Sequence, residues 1–178
     1  LDRPLRLTST IGIISAQPAG GERDPRIFIF QENLVLSIVP DGPGRKLIEI
    51  GEYVTALESL KGELNMPIER PVTSDKPYGH LRYNEELTVC GFCHHNERPA
   101  SHVNHPNAYI SKAFKPLESE LISLESLRRE RELCALHEER SDRCKIYQAI
   151  FDHGPVIEGA FPDELSTIFD LPSSRLTE

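Results

Sequence analysis

NLVLSIVPDGPGRKLIEI, residues 33–50, decides how this chain folds. Leu34, Val35, Leu36 and Ile38 precede Pro40-Asp41-Gly42-Pro43-Gly44, and Leu47, Ile48 and Ile50 follow it. Glycine supplies the positive φ that a tight reversal needs and proline fixes its own φ, so the centre is a turn. The apolar flanks, residues 33–39 and 46–50, read as strands. Together they predict an antiparallel hairpin or meander.

Residues 6–15 and 26–30 are further runs rich in Ile, Leu, Phe and Thr, bounded by Pro18-Ala19-Gly20-Gly21 and by Pro25. Residues 52–64 have two readings. Tyr53, Leu57 and Leu60 fit a helical stripe, while Tyr53, Thr55 and Leu57 fit alternation. Gly62 and Asn65 weaken a helix end, so strand is preferred. Residues 66–79, with Pro67, Pro71 and Pro77, read as loop, and residues 83–89 as a last strand delivering Cys90.

From Pro116 the pattern changes. Leu117, Leu121, Leu124, Leu127, Leu133 and Leu136 recur mostly at three- and four-residue intervals on a charged background. That predicts an amphipathic helix of about six turns, with Pro116 in its first turn. Ser141 is placed to cap a second helix over residues 142–152, with Ile146, Ala149 and Ile150 inward and Gly154 as its stop. Pro162 starts a short third helix over 163–169, ended before Pro172. The expected fold class is α+β. An N-terminal antiparallel β portion, 1–89, precedes a 90–178 portion holding an irregular Cys/His loop and a helical hairpin, the two packed as one unit.

At 178 residues the chain can bury a real core. A net charge of −8 and a pI of about 5.4 lack the basic footprint of phosphate-backbone binding, so nucleic acid is not an expected partner. No run reaches the roughly 20 apolar residues of a membrane span. Leu1 in place of Met is what removal of an upstream segment would leave. No G-x-S-x-G, H-E-x-x-H, P-loop or dinucleotide fingerprint is present, so no enzyme is indicated. Arg128-Arg129-Glu130-Arg131-Glu132 and Glu138-Glu139 read as a solvated helix face, and Asp152-His153 as a helix terminus with a dipole-facing histidine.

Chemistry concentrates in Cys90-Gly91-Phe92-Cys93-His94, followed by His95, His102 and His105. C-x-x-C-H is the spacing at which two thiols attach a haem's vinyl groups while the adjacent imidazole binds iron. Over these five residues the chain resembles c-type cytochromes. The resemblance implies haem c held by Cys90, Cys93 and His94, in an exported (periplasmic) monohaem protein that transfers electrons or senses redox state. Such a protein works with a redox partner or as an accessory subunit of a larger assembly. His102 is the preferred second axial ligand, ahead of His105, His80 and Met66; His95 sits on the wrong side of the ring. The motif is central and Met66 precedes it, so the compact cytochrome fold is not expected.

Other uses of the same atoms stay open. Cys90, Cys93, His102 and His105 offer two thiolates and two imidazoles, the ligand set of a structural zinc site in a binding or structural subunit. Cys90-Gly91-Phe92-Cys93 also resembles the thioredoxin dithiol, which needs a following helix that Pro99 and the polar run 96–107 oppose. A plain disulfide, or free thiols, is the remaining reading. Cys134 and Cys144 are a separate pair. On one continuous helix their Cα atoms would lie about 15 Å apart, beyond disulfide reach. A reversal at residues 139–141 brings them side by side, so reversal and disulfide are predicted together, which favours an oxidising compartment.

Overall fold

The computed structural model describes residues 1–170 other than Ile13, Ala16, His80, Glu86 and His95. The fold is α+β, as expected. Strands β1 (Leu5–Thr10), β2 (Arg26–Gln31), β3 (Leu34–Ile38), β4 (Leu47–Tyr53) and β5 (Glu58–Asn65) form an antiparallel meander. Residues from the second half then complete the sheet. β6 (Arg98–Pro99) and β7 (Tyr109–Lys112) extend it beyond β5, while β8 (Leu121–Ile122) and the parallel β9 (Val156–Glu158) both pair with β1. Helices α1 (Leu124–Leu136) and α2 (Asp142–Phe151) form the hairpin. No helix among the described residues is long and apolar enough to cross a membrane.

Alternation divides the sheet into two faces. Leu5, Leu7, Ile27 and Ile29 point to one, where they pack with Leu127, Cys134, Cys144, Tyr147, Ile150 and Val156 of the helical side. Each Leu or Ile fully withdrawn from water contributes roughly 1.5–3 kcal/mol, so this layer is the main core. Ser141 caps α2 by accepting from the Cys144 amide. Gly154, at φ 123°, ends the helix in a backbone region that side chains rarely adopt.

Chain reversal at residues 137–141 sets Cys134 and Cys144 5.7 Å apart at Cα, and they form the predicted disulfide. It closes a ten-residue separation, for which loop entropy predicts a stabilisation of about 2–3 kcal/mol. Replacing both cysteines by alanine is expected to lower the urea midpoint accordingly. An unchanged midpoint would show that the bond carries no stability.

Five local expectations are corrected. β1 ends at Thr10, where the Thr10 hydroxyl accepts from the Gly12 amide and the Ile11 amide turns to the Glu120 carbonyl. Residues 52–64 are two strands, broken where the Thr55 hydroxyl accepts from the Leu57 and Glu58 amides. Residues 83–89 are not a strand; only an isolated bridge joins Arg82 to Thr88, and a 3-10 turn, Val89–Phe92, follows. α1 begins at Leu124 because Ser123 caps it, and Leu121–Ile122 is spent on pairing with β1. The third helix is replaced by turns, with the Asp170 carboxylate accepting from the Thr167 amide and hydroxyl. Pro172, its expected stop, lies outside the described residues.

Candidate functional site

The sheet face turned away from the helices carries the site. Register places Phe28 and Phe30 opposite Ser37 and Val35, Ser37 and Val35 opposite Glu49 and Gly51, and Glu49, Gly51 and Tyr53 opposite Glu63, Lys61 and Ser59. Directly opposed residues share a face, so two carboxylates, an amine and three aromatic rings stand on one floor. Gly12, Ile14 and Ser15, with segments around residues 89–94, 113–120 and 161–169, meet this floor and line a partly open cavity of about 180 Å³.

Charge on the floor is unevenly satisfied. Arg26 donates to the Ser37 hydroxyl at 2.6 Å, to the Ser15 hydroxyl, and to Glu49 in an ion pair. Its guanidinium is therefore fully engaged. Lys61 is 8% exposed, and its Nζ donates to the neutral Ser59 hydroxyl at 2.8 Å, with no ion pair among the described residues. Burial pulls its amine down to about 8. Glu63, two residues along the same face, is pushed up to about 7 by burial and by the neighbouring Glu49. Beyond Ser59 across the β5–β7 ladder, the fully buried Ser111 hydroxyl has no hydrogen-bond partner among the described residues.

The Cys/His turn forms part of the wall. Thr88 is fully buried, and its amide and hydroxyl both donate to Glu97, which folds back beneath the turn. A methyl group on Gly91 would come within 2.7 Å of that carboxylate, so a side chain there would push Glu97 from its place against Thr88. The His94 amide donates to the Cys90 carbonyl at 2.9 Å, winding the five residues into one helical turn. Cys90, Cys93 and His94 thus line the same cavity as Lys61. His94 Nδ1 lies 2.6 Å from the Lys112 carbonyl, which can only accept, so Nδ1 carries the proton. Its ring stacks on Phe114 at 5.3 Å. Burial, reinforced by Glu63 and Glu49, pushes the Cys90 thiol up to about 12, so it stays protonated at neutral pH.

No protein family, curated protein or solved structure matches this chain. What the site does must therefore be argued from its own chemistry.

The other sequence-derived ligands are not brought to this wall. His102 is exposed in the β6–β7 connection. His105 packs against Tyr78 at 5.5 Å, its Nδ1 accepting from the Asn107 amide. Met66 lines a separate apolar groove on the helical side. His80 and His95 lie outside the described residues. Cys90, Cys93, His102 and His105 do not gather into a four-ligand cluster. Among the described residues the only grouping of three or more potential metal ligands is Cys134, Glu139 and Cys144, whose two sulfurs are joined to each other. The cavity, open on one side, is close in volume to the roughly 150 Å³ space that takes one benzene ring. Asp152, at the end of α2, accepts from Arg131 through both its oxygens, at 2.8 and 2.6 Å.

Lys61, Glu63 and Glu49 escaped the sequence reading. A polar residue at every second position of a strand is the signature of a solvent-facing surface. What covers that face here is irregular chain from four separate segments, and irregular chain leaves no periodicity to read.

Proposed function

We propose that this protein binds a small ligand of about one-ring size in the cavity over the sheet, within an oxidising compartment. The carrying observation is Lys61, a buried ammonium whose only hydrogen-bond partner among the described residues is a neutral hydroxyl, on the floor of that cavity. Leaving a buried cation so poorly compensated is costly, and an acceptor oxygen on a ligand relieves the cost. Phe28, Val35, Tyr53, Phe114 and Phe161 line the same space and suit an aromatic or aliphatic body. The Cys134–Cys144 disulfide supports an exported, periplasmic-type location. Titration with benzoate, followed by amide chemical shifts, tests the reading. Shifts confined to cavity-lining residues, and lost in Lys61→Met, are expected. Shifts scattered over the surface would overturn it.

A second reading keeps Cys90, Cys93 and His94 as a haem-attachment turn in an exported electron-transfer or redox-sensing protein, working with a redox partner or within a larger assembly. It is favoured by both thiols and the imidazole lining one cavity, with the Lys112 carbonyl orienting His94 as outer-shell carbonyls orient metal-binding histidines. Absorption and intact mass separate the two readings. Under the first, the purified protein is colourless and has the mass of its polypeptide. A Soret band that survives denaturation would reverse the order.

A further inference from the structure

We propose that Lys61 captures carbonyl ligands as an imine, with Glu63 supplying the proton that releases water. The inference rests on the cavity being the ligand site, and it assigns that site a chemical class of ligand, small aldehydes and ketones. A surface lysine is a poor nucleophile because it is an ammonium, strongly hydrated and almost wholly protonated at neutral pH. Lys61 differs on both counts. It is removed from water, and nothing among the described residues ion-pairs with it to hold the proton.

Charged and titratable groups reach Lys61 from several elements. Arg26 on β2 disfavours the ammonium, Glu49 on β4 favours it while paired to Arg26, and Glu97 and Cys90 face it from the covering loop. Cys90 remains a neutral thiol, so it adds no anion. Desolvation dominates, and the amine falls to about 8. At pH 7 its neutral fraction exceeds that of an ordinary lysine by roughly 200-fold. Glu63 lines the same cavity two residues along the strand from Lys61, and, held near 7, can both donate and recover a proton at that pH.

The chemistry balances without a further reactant. The Lys61 nitrogen lone pair forms the N–C bond while a proton moves to the carbonyl oxygen, giving a carbinolamine. Glu63 then protonates the hydroxyl, the C–O bond breaks and water leaves. The nitrogen's remaining proton returns to the Glu63 carboxylate, leaving a neutral imine. Reversal by water frees the ligand. The Ser59 hydroxyl, already 2.8 Å from Nζ, can accept from the nitrogen as its charge changes.

Benzaldehyde with sodium cyanoborohydride at pH 7 makes the adduct permanent, and peptide mapping locates it. The expected result is one benzyl group on Lys61, added at least about tenfold faster than on Lys46, Lys76, Lys112, Lys115 or Lys145. Mapping must also separate labelling at Lys61 from labelling at an α-amine. Glu63→Gln is expected to slow labelling at Lys61 several-fold, and an unchanged rate removes Glu63 from the proposal. Benzyl alcohol, of the same shape but without a carbonyl, serves as the parallel binding probe. If it shifts cavity resonances while Lys61 stays unlabelled, imine capture is overturned and the binding site stands. If it shifts none and Lys61 stays unlabelled, both fall.

Discussion

Replacing Arg143 by methionine is expected to lower unfolding stability by about 3–5 kcal/mol, the range for removing one partner of a buried ion pair. Arg143 is 8% exposed. Its Nε donates to Asp24 at 2.5 Å, its Nη2 to Glu130 at 2.5 Å and to the Arg23 carbonyl at 3.1 Å. Its guanidinium also lies over the Tyr147 ring at 5.0 Å. The substitution keeps much of the apolar stem but leaves two poorly solvated carboxylates. Arg23 still reaches Glu130 at 3.0 Å, so the lower end of the range is favoured. Burial already outweighs Arg143 at Asp24 and holds that carboxyl above its usual value. Asp24→Asn is accordingly expected to be much milder. Urea midpoints of both variants check the pair, and a loss below about 1 kcal/mol in Arg143→Met would mean that the carboxylates escape to water.

Lys61→Met is expected to act in the opposite direction, raising stability at neutral pH by on the order of 3 kcal/mol. Folding lowers the Lys61 amine from 10.5 to about 8. Between these values the unfolded chain binds more protons, so wild-type stability climbs as pH rises from about 8 to about 10.5. The penalty is fully present below about 8 and gone above 10.5. Methionine removes the cation, so the variant should lack that rise. Glu63 contributes with reversed sign. Its folded carboxyl sits near 7 against 4.5 ordinarily, so stability falls as pH rises through that interval. Denaturant midpoints measured across both intervals test the assignment. A variant less stable than wild type at pH 7 would refute an uncompensated buried cation. Stabilisation accompanied by loss of benzoate binding would mark Lys61 as a residue kept for function at the expense of stability.

Local patterns carried much of this architecture. Leu5 and Leu7, Ile27 and Ile29, and the turn at residues 40–44 announce their strands through period-two spacing and turn chemistry. Ser141 announces α2, and with it the reversal that brings Cys134 to Cys144. Misreadings arose where a short-range signal met a competitor farther along the chain. Leu117 and Leu121 keep the helical interval, yet Ser123 caps the helix later and β1 claims Leu121 for its edge. Tyr83 and Leu87 resemble a strand, but the Asn84 side chain accepts from the Leu87 amide and the backbone closes into a turn. Within the site, spacing singled out Cys90, Cys93 and His94, which the structure winds into one turn. It could not show that Lys61 and Glu63, some thirty residues earlier, meet that turn across a cavity.

Cys134 and Cys144 are locked together behind the sheet, whereas Cys90 and Cys93 remain free thiols at the cavity. Native protein thus offers a maleimide dye two thiols at one cavity, with no engineered cysteine. Cys93 is the better acceptor, because Cys90 is held as an unreactive thiol. A polarity-sensitive fluorophore placed there would brighten or dim as the space beside it fills, making the untouched chain its own optical gauge of occupancy.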